Sequence, residues 1–217
     1  MRRGLLIVGA GGHGKVIADS ACESGRWDKI AFLDDKFPEL RTVLDWPIIG
    51  NINEAGNFRN EYSETMVAVG DNLLRMQIID RMIAHGFDLP VIIHPRAAVS
   101  RYAVLGEGTF VMNQAAVNVC AVIGKGCIVN TGATIGHDSV LGDFVHVAPG
   151  ASIGGEAFIG AGSWVGMGAA IIERVKVGKG VVIGAGTVIV RDVMDDVVIV
   201  GVPGKIIKVR SIWPNDQ

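Results

Sequence analysis

The sequence predicts an α/β half-domain of about 90 residues followed by a parallel β-solenoid. Two observations predict these parts. An aliphatic residue recurs at every sixth position from Ile93 to Ile189, seventeen times in succession. Before this repeat, a buried strand runs directly into a glycine-rich loop and a helix. A period of six fits neither a helix nor an alternating strand. We therefore predict one domain over residues 1–92 and a second over residues 93–217.

The repeat predicts a coil with three short sides and one inward-pointing aliphatic residue on each side. The residue four places after each aliphatic is mostly small, and the residue directly after it is often Gly, as at Gly136 and Gly154. We expect these residues to let the chain turn at the corners. Coils stacked about 4.8 Å apart would form a prism on the order of 27 Å tall. This pattern resembles the left-handed β-helix of hexapeptide-repeat proteins.

The first domain opens with a predicted strand over residues 5–8, and Gly9-Ala10-Gly11-Gly12-His13-Gly14 follows at once. A helix over residues 15–24 and a strand over residues 30–33, which ends at Asp34-Asp35, complete a Rossmann-like unit. Glycines in such a loop allow close approach of a ligand, and the helix N-terminus attracts phosphate. Because the domain has room for half of a dinucleotide fold, we expect a nucleotide-linked substrate rather than NAD. The alternative is that the glycines only pack helix against strand.

Two more strands are predicted, over residues 46–50 and 66–69, and a helix runs from Leu73 to about His85. Four apolar positions predict the buried side of this helix: Leu74, Ile78, Ile79 and Met82. After the last repeat, residues 200–205 predict a tight turn, and we expect the remainder to lie against the end of the prism.

Composition excludes several classes of function. The 20 Lys and Arg residues against 22 Asp and Glu residues leave a net charge of −2, so we expect no nucleic-acid partner. The three cysteines form no C-x-x-C pair, which favours a reduced, cytoplasmic protein without a disulfide framework or zinc ribbon. No stretch approaches about 20 apolar residues, so no membrane insertion is expected.

Two histidines are candidates for chemistry because of their places in the repeat. His146 directly precedes an inward aliphatic and is expected to face outward, and His137 is expected at a corner. We therefore expect both off the core, with a solvated surface histidine as the alternative. Asp138 follows His137, and a carboxylate beside an imidazole can fix its tautomer and raise its basicity. His85 and His94 are interpreted as structural.

A metal centre and a covalent mechanism are both disfavoured. The histidines lack the close pair of the hexapeptide-repeat carbonic anhydrases, so we expect no zinc site. Cys127 takes an inward small-residue position, and Cys120 has no histidine near it in the sequence. Direct transfer is therefore favoured over an acyl-enzyme.

Seven motifs covering nearly the whole chain carry a resemblance to a known family: residues 9–14, 32–35, 70–72, 93–95, 136–138, 142–147 and 201–205. Together they resemble the sugar acetyltransferases that join a small Rossmann-like domain to a left-handed β-helix. Within that family they are most similar to the bacterial enzymes that N-acetylate a UDP-4-amino-4,6-dideoxy sugar on the way to diacetylbacillosamine-type sugars.

The resemblance implies acetyl-CoA as co-substrate, no metal, a UDP-linked amino sugar as acceptor, and a homotrimer with each active site between neighbouring prisms. It implies that His137 is the general base, that Asp138 orients it, and that the Gly155 amide donates to the thioester oxyanion. Residues implied to line the acetyl-CoA groove are His146, Met167 and Ala185. Residues implied on the nucleotide-sugar side are Gly11, Gly12, His13, Asp34, Asp35 and Gly70.

Other functions remain open at this point. Sialic acid O-acetyltransferases share the architecture and much of the motif set. A non-catalytic trimeric binding module would require neither the His137-Asp138 pair nor the glycine loop. A sugar nucleotidyltransferase would need a far larger N-terminal domain with a Gly-x-Gly-Thr-Arg type loop.

Overall fold

The computed structural model describes residues 3–210, and the chain divides into two compact units, Met1–Pro95 and Arg96–Gln217. The predicted fold class is confirmed. The first unit is an α/β domain, and the second is a left-handed parallel β-helix of stacked two-residue strands.

The first unit is built on a five-stranded sheet of order β3-β4-β2-β1-β5. All its strand pairs are parallel except β3 with β4. Strand β1 is fully buried because it lies inside the sheet, which explains its unbroken apolar run. The elements are β1 (Gly4–Val8), α1 (Gly12–Ser24), β2 (Lys29–Leu33), β3 (Thr42–Val43), β4 (Trp46–Gly50), a 3-10 helix (Ile52–Phe58), β5 (Glu64–Val67), α2 (Asn72–Ala84) and β6 (Ile92–Ile93).

Both helices differ in detail from the prediction. Helix α1 begins at Gly12 and not at residue 15, so the last residues of the predicted glycine loop form its first turn. In α2, Leu74 is exposed and Arg75 is buried, so the buried side consists of Asn72, Arg75, Ile78, Ile79 and Met82. These five positions still follow helical spacing. The prediction was wrong only in assigning Leu74 to the buried side.

The second unit is a three-sided prism, whose sides we call faces 1, 2 and 3. Face 1 contains β7 (Ala98–Val99), β10 (Ala116–Val117), β13 (Thr134–Ile135), β16 (Ser152–Ile153), β19 (Ala170–Ile171) and β22 (Val188–Ile189). Face 2 contains β8 (Val104–Leu105), β11 (Val122–Ile123), β14 (Val140–Leu141), β17 (Phe158–Ile159) and β20 (Lys176–Val177). Face 3 contains β9 (Phe110–Val111), β12 (Ile128–Val129), β15 (His146–Val147), β18 (Trp164–Val165), β21 (Val182–Ile183), β23 (Val197–Val200) and β24 (Lys205–Val209).

One coil takes 18 residues up to β22, because each strand there pairs in parallel with the strand 18 positions away, as Ile135 does with Ile153. The last coil is two residues shorter, since Val182 of β21 pairs with Val198 of β23. We call the turns from face 1 to face 2 corner 1–2 and the turns from face 3 back to face 1 corner 3–1. The last strand, β24, pairs antiparallel with β23 and extends the end of face 3.

The aliphatic repeat forms the core of the prism. From Val111 to Ile189 every aliphatic of the repeat is buried. Val99 and Leu105 are only partly buried because the first coil has a stacked coil on one side only. Ile93 is 38% exposed and belongs to the first unit, so its predicted inward position was wrong.

The glycines directly after the aliphatics have a different role from the predicted one. Positive φ angles occur three places after the aliphatic, at Gly132 and also at Asp138. At Gly136, directly after an aliphatic, a Cβ would collide with the backbone of Gly155 in the next coil. These glycines therefore allow the coils to stack closely, and the turn itself is made two residues later.

Candidate active site

His137 and Asp138 lie side by side at corner 1–2. The His137 Nδ1 and Asp138 Oδ2 atoms are 2.7 Å apart, and both side chains are more than half exposed. The Asp138 N–H donates to the Val119 carbonyl at 3.1 Å, and the Glu156 N–H donates to the His137 carbonyl at 2.8 Å. These bonds to the coils on either side hold the pair in register. When Nδ1–H donates to Asp138, Nε2 is the nitrogen that can accept a proton.

Gly155 lies next to the His137 ring in the following coil. A Cβ built on Gly155 would stand 2.6 Å from His137 Nε2. Among residues 3–210, the Gly155 N–H donates to no protein acceptor. The corner thus places a basic nitrogen beside a backbone donor, the combination that acyl transfer to an amine requires.

An ion pair supports the Gly155 turn from the next coil. Arg174 donates from Nη2 and Nε to Glu156 Oε1 at 3.0 and 3.2 Å, and its N–H donates to the Gly155 carbonyl at 3.0 Å. The hydrogen bond from Arg174 lowers the pKa of the Glu156 carboxyl, and the Arg174 charge adds to this effect. This ion pair was not predicted from the sequence, although the 18-residue spacing from Glu156 to Arg174 places the two side chains in successive coils.

A pocket of about 400 Å³ lies on face 3 and corner 3–1. It brings together the three residues assigned to the acetyl-CoA groove. Its lining consists of Asn130, His146, Ala148, Pro149, Trp164, Gly166, Met167, Val182, Ile183, Gly184 and Ala185. Gly155 belongs to corner 1–2 and does not line this pocket.

His146 lies outside the core of the prism, as expected, but it is only 6% exposed, so the alternative of a solvated surface histidine is wrong. Its ring lies 4.3 Å from the Trp164 ring, centroid to centroid, and Nε2 lies 3.1 Å from Asn130 Nδ2. The cause is the register, because His146 pairs with Trp164 on the outer side of face 3. The imidazole is therefore a fixed wall of the pocket.

Corner 1–2 and the face 3 pocket lie on different sides of the prism. A triangular prism has each corner opposite one face, and corner 1–2 is opposite face 3. His137 and Gly155 consequently lie apart from His146, Met167 and Ala185 within one chain.

In the first unit, the Asp34 carboxylate ties the glycine loop to the end of β2. It accepts hydrogen bonds from the Ala10 N–H at 2.7 Å and from the Lys36 N–H at 3.0 Å. Asp34, Asp35 and Gly9 line a pocket of about 620 Å³ beside this loop. Gly11 and Gly12 are exposed at the start of α1, where the helix N-terminus presents backbone N–H groups.

Arg75 interacts with both Gly70 and His13, because it donates to the Gly70 carbonyl and its charge acts on the His13 imidazole. This arginine was not predicted as a site residue from the sequence. Arg75 is 1% exposed and donates to the Val69 carbonyl at 3.0 Å, the Gly70 carbonyl at 3.1 Å and Asn72 Oδ1 at 2.8 Å. Burial lowers the pKa of His13 to about 4, and the Arg75 charge adds to the shift. His13 is therefore neutral near pH 7.

Asp19, Glu23 and His94 form the one cluster among residues 3–210 whose ligand atoms lie within 4.8 Å of one another. His94 is buried, and its Nε2 lies 3.5 Å from Glu23 Oε2. This contact between α1 and the residue after β6 fits the structural role predicted for His94.

No helix within residues 3–210 has the length and apolar character needed to span a bilayer.

Comparisons with known proteins identify the family. The PglD N-terminal domain matches residues 4–82, and the bacterial transferase hexapeptide (six repeats) matches residues 156–191. The acetyltransferase domain of PglB from Neisseria gonorrhoeae FA1090, solved in complex with acetyl coenzyme A, is 43% identical, with a TM-score of 0.92 over 95% of this chain and 100% of that chain. The chain belongs to the hexapeptide-repeat sugar acetyltransferases.

Two other members of these acetyltransferases are informative. PerB from Caulobacter crescentus, solved in complex with CoA and GDP-perosamine, is 38% identical, with a TM-score of 0.89 over 94% of this chain and 96% of that chain. The UDP-N-acetylbacillosamine N-acetyltransferase of Bacillus subtilis is 36% identical over 112 residues, which make up 51% of this chain and 51% of that relative. The match thus spans about half the length of this curated relative.

Proposed function

We propose that the chain is an acetyl-CoA-dependent N-acetyltransferase that acts on the 4-amino group of a UDP-linked 4-amino-4,6-dideoxy sugar. The observation that carries the proposal is the His137–Asp138 pair, held 2.7 Å apart beside Gly155. Two relatives support the class of substrate, since one was solved with acetyl coenzyme A and the other with CoA and a GDP-linked amino sugar.

The proposed reaction is direct transfer. The sugar amine attacks the thioester carbonyl, a C–N bond forms, and His137 Nε2 accepts the proton that leaves the amine. The Gly155 N–H stabilises the oxyanion that develops on the carbonyl oxygen. The C–S bond then breaks, and the proton passes to the CoA thiolate. General-base help of this kind contributes roughly 10²–10⁴-fold.

We propose that three copies assemble so that each site lies between two of them. The support is the placement of His137 on the corner opposite the face 3 pocket, because only a neighbouring copy can bring such a pocket to His137. Face 2 carries a stripe of exposed apolar side chains that a trimer would cover: Val104, Val122, Val140 and Phe158.

The first unit is proposed to hold the nucleotide. The exposed start of α1 offers backbone N–H groups and the positive end of the helix to a diphosphate. Asp35 is exposed in the neighbouring pocket, where its carboxylate can accept from ribose or base donors. Neutral His13 supplies one more polar group without adding charge.

The decisive experiment measures thiol release from acetyl-CoA with purified wild type and His137→Ala. The acceptors are a UDP-4-amino-4,6-dideoxy sugar, its GDP-linked counterpart and free sialic acid. Release with the UDP sugar, lost by roughly 10²–10⁴-fold in the variant while sugar binding persists, supports the proposal. Preference for the GDP sugar would correct the nucleotide, and release with sialic acid alone would overturn N-acetylation.

A further inference from the structure

We propose that Arg191 and Lys205 bind the phosphate groups of CoA and so anchor the end of the co-substrate remote from the thioester. This inference rests on the proposed function and on the assembly proposed with it. It concerns the cavity at the end of the prism, which the proposed reaction leaves unused.

Arg191 lies on the same corner of the prism as His137. Up to β22, residues 18 positions apart occupy equivalent places in successive coils, so His137, Gly155 and Glu173 form one column. Arg191 follows β22, which pairs with β19 at the same 18-residue step, so Arg191 lies on this corner one coil beyond Glu173. The turn there is two residues shorter than the earlier ones, because Val177 pairs with Val193. Three coils separate His137 from Arg191. At about 4.8 Å per coil, Arg191 stands roughly 14 Å from His137 along the prism.

This separation matches the length of the arm of CoA. About thirteen bonds connect the thioester sulfur to the nearest phosphorus, and an extended chain advances roughly 1.2 Å per bond, so the arm spans about 16 Å. A thioester placed at His137 therefore puts its diphosphate at the level of Arg191.

The face 3 pocket has the same extent and direction. It runs from Asn130 to Gly184, which is three coils toward the C-terminus. If the three prisms stand side by side around an axis parallel to their own, coils of equal number lie at equal height. The His137 end of one copy then faces the Asn130 end of its neighbour's pocket, and Arg191 faces the far end.

The chemistry at that end suits an anion. Arg191 and Lys205 line a cavity of about 280 Å³ together with Asp192, Val193, Ile199, Gly204 and Ile206. Both cations are exposed, and neither forms an ion pair with any residue in 3–210. Asp192 is already engaged, because its Oδ1 accepts from the Lys176 N–H at 2.8 Å. An Arg and a Lys that have no ion-pair partner within residues 3–210 can supply bidentate and single-point contacts to phosphate oxygens.

The test compares acetyl-CoA, acetyl-dephospho-CoA and acetylpantetheine as donors for wild type, Arg191→Ala and Lys205→Ala. Each variant is expected to raise KM for acetyl-CoA about tenfold or more, because a hydrogen bond to a charged group is lost. KM for acetylpantetheine, KM for the sugar and kcat with saturating donor are expected to stay at the wild-type values. If the rise in KM that one of these substitutions causes is smaller with acetyl-dephospho-CoA than with acetyl-CoA, the substituted residue binds the 3′-phosphate.

The matched control is Arg101→Ala, since Arg101 lies in the same column two coils on the other side of His137. It should leave KM for acetyl-CoA unchanged. An equal loss with acetylpantetheine, or no loss with acetyl-CoA, overturns the proposal. Calorimetry with CoA alone separates this inference from the proposed function. Weaker CoA binding by Arg191→Ala supports the anchor even if no sugar is acetylated, and wild type that does not bind CoA refutes it.

Discussion

The Gly155 Cα lies against the imidazole of His137, so that a methyl group added to Gly155 would stand 2.6 Å from Nε2. Gly155→Ala is therefore expected to displace the ring and to lower kcat about 10²-fold or more, since small misplacements of a catalytic group have effects of this size. The free energy of unfolding should change by less than about 1 kcal/mol, because the displaced ring is largely exposed. Steady-state kinetics and urea unfolding measure the two quantities.

Gly25→Ala is the matched control for this substitution. Gly25 has a φ of +62° at the end of α1, and nothing lies within 4 Å of an added Cβ. It should cost about 1 kcal/mol of stability and leave kcat unchanged. A Gly155→Ala enzyme with normal kcat would show that His137 does not need its present position.

A site shared between copies predicts complementation between two inactive variants. His137→Ala removes the base from corner 1–2, and Ala185→Trp fills the pocket on face 3. Each variant alone should be inactive. When trimers are reassembled from an equal mixture, an interface is intact if its base comes from an Ala185→Trp chain and its pocket comes from a His137→Ala chain. Each condition holds for about half of the interfaces, so about a quarter of the wild-type activity should return. Activity that stays at the level of the separate variants would place both parts in one chain.

Asp34 is expected to control nucleotide-sugar binding without affecting acetyl-CoA. Its carboxylate accepts from both the Ala10 and Lys36 N–H groups, and Asp34→Asn turns one of these acceptors into a donor. Loss of a hydrogen bond to a charged group should raise Kd for the nucleotide sugar by roughly 10–100-fold. Calorimetry with each substrate, with exposed Asp19→Asn as control, tests this. Equal weakening of both substrates would contradict a division of labour between the two units.

His13 makes stability depend on pH. Its pKa is about 4 in the folded protein against an ordinary 6.5, so the unfolded chain binds more protons between these values. Above pH 6.5 the free energy of unfolding does not depend on the protonation of His13. As the pH falls from 6.5 toward 4, this free energy decreases because the unfolded chain binds a proton at His13 more readily, and the decrease is about 2 kcal/mol at pH 5. Urea unfolding at pH 7 and pH 5 should show that His13→Asn removes this part of the acid sensitivity. An unchanged pH dependence in the variant would mean that His13 is not buried as a neutral group.

The sequence predicted the fold of this chain well because the signal is repetitive. Every coil repeats the same steric requirement, so seventeen aliphatics specify one architecture. The His137–Asp138 contact was also predictable, since adjacent residues at a turn need no tertiary information to meet.

What escaped prediction depends on neighbours that a six-residue period does not reveal. Trp164 covers His146 because the two are 18 residues apart and stack on one face. Arg75 is buried because three oxygen acceptors surround its guanidinium, and no hydrophobic pattern anticipates a charged residue on the buried side of α2. The placement of His137 opposite the face 3 pocket follows from counting strands around the prism, which the linear repeat leaves implicit.

The 18-residue coil also limits how such a protein can change in evolution. The corners accept small changes in length, since the turn after β22 is two residues shorter than the others and the later strands still stack on their faces. The number of coils between two residues, however, changes only when a whole coil is added or removed. The distance from His137 to any residue further along its corner can therefore change only in steps of about 4.8 Å. Selection for a longer or shorter donor arm would act through loss or duplication of complete coils, while point substitutions adjust the chemistry at fixed heights.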